Sequence, residues 1–143
     1  MFERLTPAAR EALDLAQIDA FGHGQAEIGT DHLLLGALHE RGSVAWIALE
    51  ALGLAPEELY WRVHGPDRAH IEEGLAPVPL SDGMKRAIEL SLRESIRLGD
   101  AHIGTEHLLL GLLRQRRGGA ALALRAEGIT LRRLRDAVSA ARR

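Results

Sequence analysis

The chain repeats itself. Ile28-Gly29-Thr30-Asp31-His32-Leu33-Leu34-Leu35-Gly36 returns as Ile103-Gly104-Thr105-Glu106-His107-Leu108-Leu109-Leu110-Gly111, a step of 75 residues. The same register holds outside the motif without a gap. Upstream, Leu5-Thr6 answers to Leu80-Ser81, Ala12 to Ala87 and Leu15 to Leu90; downstream, Ala45 answers to Ala120, Gly53 to Gly128 and Leu59 to Leu134. Two copies of one sequence adopt one local structure twice. A copy this short buries its apolar faces poorly alone, so the two are expected to pack together about an approximate twofold axis.

Each copy reads as four short helices. The first opens at Thr6 or Ser81, both good N-caps, with Pro7 at the first helical position of copy one. Its apolar stripe is Ala12, Leu13, Ala16 and Ala20 in copy one, and Ile88, Leu92 and Ile96 in copy two. It ends at Gly22 or Gly24, and at Gly99. The second opens at Thr30 or Thr105 and is expected to stop near Gly42 or Gly118. The third covers 45–52 or 120–127 and stops at Gly53 or Gly128. The fourth begins near Pro56, with Glu57 and Glu58 suited to a positive helix start, or at Thr130. The expected fold class is therefore all-α, a tandem pair of four-helix units, with repeat one at 5–64, repeat two at 80–143 and a Pro/Gly-rich linker at 65–79.

Composition agrees. Hydrophobic residues make up 46% of the chain but aromatics only 3%, so the core is expected to be aliphatic. Leu and Ala favour helices. There is no cysteine, which excludes disulfides and thiolate metal sites and fits a reducing compartment. The first residues do not read as a signal peptide, and no apolar run approaches the roughly 20 residues of a membrane span. A cytoplasmic location is expected. The net charge of -2 hides an acidic first half and a basic second half, the latter carrying Arg114, Arg116, Arg117, Arg132, Arg133 and Arg135. That split fits an anionic partner for one half; it equally fits two halves that attract each other, or a solvated helix face.

Signatures of catalysis are missing. The sequence holds no G-x-x-x-x-G-K-[ST], no G-x-G-x-x-G, no G-x-S-x-G and no H-E-x-x-H. Asp31-His32 and Glu106-His107 are adjacent pairs, and neighbours on a helix point about 100° apart, a poor arrangement for holding one metal ion. The chain is expected not to be an enzyme and to need no cofactor or metal. The repeated Gly-Thr-[Asp/Glu]-His then has two readings. In one it simply starts a helix, with Thr as cap, the acid complementing the helix dipole and His packing. In the other, Asp31 and Glu106 beside unpaired backbone N–H groups hold a ligand of mixed charge: the carboxylate takes a guanidinium or ammonium, and the helix start takes a phosphate or carboxylate.

These residues resemble a known family. The opening Met1-Phe2-Glu3-Arg4-Leu5-Thr6, both Ile-Gly-Thr-[Asp/Glu]-His-Leu-Leu-Leu-Gly strings, Leu49 to Gly53, and Ile88-Glu89-Leu90-Ser91-Leu92-Arg93-Glu94 are similar to the N-terminal Clp-repeat domain of ClpC-type AAA+ unfoldases. The likeness covers essentially the whole chain. It implies a non-catalytic module that recruits substrate or adaptor proteins to a Clp-type unfoldase–protease machine. It also implies one phosphoarginine site per repeat, at Thr30 and Asp31 and at Thr105 and Glu106; Asp31 is one methylene shorter than the family's usual Glu. A second surface, implied for peptides including cyclic ones, involves Phe2, Arg10, Gln17, Leu80, Lys85 and Glu89, with Leu80 in place of an aromatic. Read without the resemblance, Phe2 is equally a core plug at the terminus. The sequence holds no ATPase module after repeat two, so the chain is expected to be either an excised domain or a freestanding protein that competes for the same ligands, and the departures around Leu80 lean to the freestanding reading. The alternative of another class is a nucleic-acid-binding protein using the Arg-rich second half, against which stand the near absence of stacking aromatics and of any long Lys/Arg run.

Overall fold

The computed structural model describes residues 2–22, 24–64 and 79–142. A 3-10 turn at Phe2–Arg4 leads into α1 (Pro7–Gly22), α2 (Thr30–Ala37), α3 (Val44–Ala51) and α4 (Pro56–His64). The second unit supplies α5 (Asp82–Arg97), α6 (Thr105–Leu113), α7 (Gly119–Ala126) and α8 (Leu131–Ala141). The protein is all-α and built as a tandem pseudo-twofold repeat. The expected linker at 65–79 lies outside the described residues except for Pro79.

Local chemistry accounts for the element starts. Ser81 Oγ accepts from the Met84 N–H at 3.0 Å, Ser43 Oγ from Trp46 at 3.2 Å and Thr130 Oγ1 from Arg133 at 3.2 Å. Thr6 Oγ1 does the same for Ala9 at 3.1 Å, with Pro7 opening α1. Each bond satisfies a donor that the helix itself leaves unpaired. Gly53 and Gly128 turn the chain between third and fourth helices with φ of +85° and +78°, a region other residues seldom enter. The second helix of each unit stops earlier than expected, at Ala37 and Leu113 rather than near Gly42 and Gly118. In repeat two the Arg125 guanidinium donates to the carbonyls of Leu113, Gln115 and Arg116, so the chain leaves the helix onto a side-chain cap supplied from α7.

The second helices form the centre. The side chains of Leu33, Leu34, Leu108, Leu109 and Leu110 are fully buried, and the first helices pack onto them. That contact is close because the interface residues are small. A Cβ on Gly36 would overlap the Ala12 carbonyl, and one on Gly111 would overlap the Ala87 carbonyl and Ser91. Ile96, expected in the apolar stripe of the first helix of repeat two, is instead 60% exposed. The buried face of α5 is Met84, Ala87, Ile88, Leu90, Ser91, Glu94 and Ser95, a stripe that includes a carboxylate.

The units are tied crosswise. Thr6 N–H donates to Ile103 O at 3.0 Å and Ile103 N–H to Arg4 O at 2.8 Å. The mate contact runs from Ile28 N–H to Pro79 O at 2.8 Å and from Ser81 N–H to Ile28 O at 3.1 Å. Thus the segment entering each unit pairs with the loop before the other unit's second helix. Packing of α3 on α8, and of α2 on α6 and α7, completes the shared core.

Candidate functional site

The two helix starts carry the repeated motif. At each, Gly is the N-cap in an extended conformation, and Thr30 and Thr105 are the first helical residues. The expected capping role of the threonines is therefore corrected: their hydroxyls cap nothing in their own helix, and both residues are buried. The reason is steric and positional, since Thr follows the cap and packs inward. Thr30 Oγ1 instead accepts from the Ala120 N–H at 3.4 Å, across the repeat boundary.

Histidine does the capping. Nδ1 of His32 accepts from Gly29 N–H at 2.8 Å, and Nδ1 of His107 from Gly104 N–H at 2.7 Å. This is half of a capping box with His in the position of Glu. Because Nδ1 accepts, the network assigns the proton to Nε2. His107 Nε2 then donates to Asp100 at 2.7 Å, and Asp100 also accepts from Arg142. Burial pushes the Asp100 carboxyl up, but the hydrogen bonds from Arg142 and His107 outweigh it and hold the group below its ordinary range.

The acids differ between copies. Asp31 follows Thr30 with its side chain 47% exposed. Glu106 keeps only 15% exposure, its carboxylate folded back over Gly104. The N–H groups of Thr30, Asp31, Thr105 and Glu106 have no acceptor among the described residues, as expected of a first turn. Repeat one adds a second helix start to its site: the Asp31 side chain lies against Gly119, the first residue of α7, preceded by Gly118 at φ +116°. The starts of two helices from different repeats thus adjoin one half-exposed carboxylate, with the Ala120 N–H of α7 already given to Thr30. An anion would be held by the donors and a cation by the carboxylate.

The second expected surface is partly assembled. A cleft of about 310 Å³ is lined by Leu5, Arg10, Leu13, Asp14, Gln17, Ile28 and Leu80. It contains both partners of the Ile28–Leu80 bridge, so its floor exists only when the repeats are joined. Arg10, Gln17 and Leu80 meet there. Lys85 and Glu89 do not line it; they stand on α5 at the register positions of Arg10 and Asp14, so the pseudo-twofold carries them to the mate location. Glu89 is engaged by Arg86 and Arg93, each at 3.0 Å. The side chain of Phe2 lies outside the described residues.

Sequence reasoning missed a buried ion network. Glu94 is fully buried and accepts from Arg135 at 3.0 and 2.7 Å and from Arg97 at 3.0 Å. Burial raises its carboxyl, and the two guanidinium groups more than reverse that, leaving it lowered. The available signal was the register, which aligns Glu94 with Asp19, an acid on the inward face of each first helix.

Among the described residues no cluster of three His, Cys, Asp or Glu side chains is placed to hold a metal ion, and no helix is long and apolar enough to cross a membrane. Scaffold and helix starts together define the class: an all-α tandem-repeat protein whose two copies share one core. The chain belongs to the Clp repeat (R) N-terminal domain family, whose model matches residues 4–127. It is 39% identical over 138 residues to the negative regulator of genetic competence ClpC/MecB of Bacillus subtilis (strain 168), covering 96% of this chain and 17% of that protein. It is 41% identical over 112 residues to the uncharacterized protein Rv2667 of Mycobacterium tuberculosis, covering 78% of this chain and 44% of that one. The chain thus spans less than half the length of these relatives. Among solved structures, the N-terminal domain of the ClpD chaperone from Arabidopsis thaliana matches with a TM-score of 0.68 at 24% identity, over 98% of this chain and 95% of that one. A chain from preliminary structural investigations of a malarial protein secretion system matches with a TM-score of 0.78 at 13% identity, over 95% and 92%. At those identities the two matches establish the fold alone.

Proposed function

We propose that the chain is a non-catalytic module that binds polypeptide for a Clp-type unfoldase–protease, either recruiting substrates or adaptors to it or competing for them, and that its helix starts take phosphoarginine. The observation that carries the proposal is the pairing, at each copy, of a carboxylate with first-turn N–H groups that have no acceptor among the described residues. Asp31 or Glu106 takes the guanidinium, and the helix start takes the phosphate. Membership of the family supports the coarse reading, and the convergence of α2 and α7 at Asp31 supports the finer one. The test is a titration of isotope-labelled protein with free phosphoarginine. Amide shifts are expected at 30–31, 105–106 and 119–121, with the respective sets lost in Asp31→Ala and Glu106→Ala. Unmoved amides at both helix starts sink the phosphoarginine reading and leave the module without that ligand.

A second contact is proposed for the inter-repeat cleft, because Arg10, Gln17 and Leu80 converge there with Leu13 as apolar floor. Peptide segments, cyclic ones included, fit its mixed lining. Replacing Gln17 by Arg should weaken such a peptide at least tenfold without moving the phosphoarginine shifts.

A further inference from the structure

We propose a separate binding site in repeat two, an arginine-lined cleft that takes an acidic polypeptide segment. The cleft is open, about 940 Å³ in volume, and runs between the start of α5 and the loop joining α6 to α7. Its walls carry Arg86, Arg114, Arg116 and Arg117, with Asp82, Gln115 and Leu90 between them. Arg86 is shared with Glu89 at 3.0 Å. Arg114, Arg116 and Arg117 have no carboxylate partner among the described residues, and Arg116 and Arg117 are exposed. Three cations within four residues repel one another, and among the described residues none of the three is paired with a carboxylate.

The loop that holds them is anchored rather than loose. Arg125 donates to the carbonyls of Leu113 and Arg116 at 3.0 Å each, and also to that of Gln115. Gln115 Nε2 donates to Gly83 O at 2.6 Å, fastening the loop to the first turn of α5. Gln115 is buried, and its Oε1 has no hydrogen-bond partner among the described residues. An anchored backbone fixes where the three arginines emerge, so only their side chains are left to order on binding, and Arg clusters of this kind recognise acidic motifs.

The duplication supplies an internal control. In the 75-residue register, Arg86, Arg114, Gln115, Arg116 and Arg117 answer to Glu11, His39, Glu40, Arg41 and Gly42. Repeat one keeps the scaffold with one cation of the row, Arg41, and pairs it with Glu57 at 2.9 Å, so the full row is not needed to fold the loop. The lining favours polypeptide over nucleic acid. It offers no aromatic ring for a base to stack on, and the Asp82 carboxylate opposes a phosphodiester while accepting a backbone N–H. The Leu90 floor suits an aliphatic side chain.

The site is independent of the phosphoarginine reading, and the experiment separates them. A fluorescent peptide of alternating Glu and Leu-Glu units is titrated against the whole chain by anisotropy at low and physiological salt. Binding should weaken at least tenfold in the Arg114→Gln/Arg116→Gln/Arg117→Gln variant, and be unchanged in Glu106→Ala. A second variant, Arg4→Gln/Arg132→Gln/Arg133→Gln, removes the same charge elsewhere and should change affinity less than threefold. Circular dichroism checks that each variant folds, and the single Arg116→Gln should alone weaken binding, since that side chain is exposed. Equal losses in the two triple variants, no loss in the first, or tighter binding of oligothymidylate of equal charge would each overturn the proposal.

Discussion

The two repeats share a backbone plan and differ in how they hold it. Repeat one buries four alanines on its first helix, Ala9, Ala12, Ala16 and Ala20, with the Asp19 carboxylate beside them 3.9 Å from His32. Repeat two buries Met84, Ile88, Ser91 and Glu94 at the same interface and neutralises the carboxylate from α8. Repeat one leaves Asp31 half-exposed, and repeat two tucks Glu106 away. The lesson is that the motif sets where the helix starts lie, while unduplicated residues decide which start is open and which unit depends on charge.

That contrast can be broken in order of size. Glu94→Ala should destabilise the fold by about 3 kcal/mol, because it empties a fully buried position and removes three charge-assisted hydrogen bonds from the half-exposed Arg135 and Arg97. Asp19→Ala, its register mate, should cost less. Urea melts monitored by circular dichroism compare the two, and equal losses would erase the asymmetry. Gly36→Ala and Gly111→Ala test what the repeats have in common. Each should cost about 2 kcal/mol, since each Cβ meets backbone that has to move. A tolerated Gly111→Ala would mean the helices can separate freely.

Acid should act mainly on repeat two. Glu94 and Asp100 are both held below their ordinary values when folded. Groups depressed in this way contribute stability above the unfolded carboxylate range and lose it as pH falls through the folded values. Thermal melts from pH 7 down to pH 3 should therefore show a falling midpoint, with a shallower fall in Glu94→Gln. An identical pH profile would remove Glu94 from the account. The smallest effect is expected from capping: Ser81→Ala and Thr6→Ala should each cost about 1 kcal/mol, read in the same melts.

Much of the site was legible because it is local. A Gly followed by Thr, an acid and His places a helix start wherever it occurs, and two copies in register place two. The capping role given to Thr went to His instead. Either side chain can reach a first-turn N–H, and only packing reveals that Thr30 faces the other repeat. The cleft at Leu80 was legible in part, since Arg10, Gln17 and Leu80 meet but Lys85 and Glu89 fall on its symmetry mate. The Glu94 network was hidden because Arg135 lies 41 residues away, with nothing local to join them.

Sequence alone determined the helical period, the helix starts, the glycine turns and the duplication, because each depends on residues within one or two turns of one another. The tertiary structure decided how the copies interlock through Leu5–Ile103 and Ile28–Leu80, which acid stays open, and which arginines meet a carboxylate among the described residues. Those outcomes turn on distances between segments far apart in the chain. Burial and long-range electrostatics set such distances jointly, and no local pattern records them.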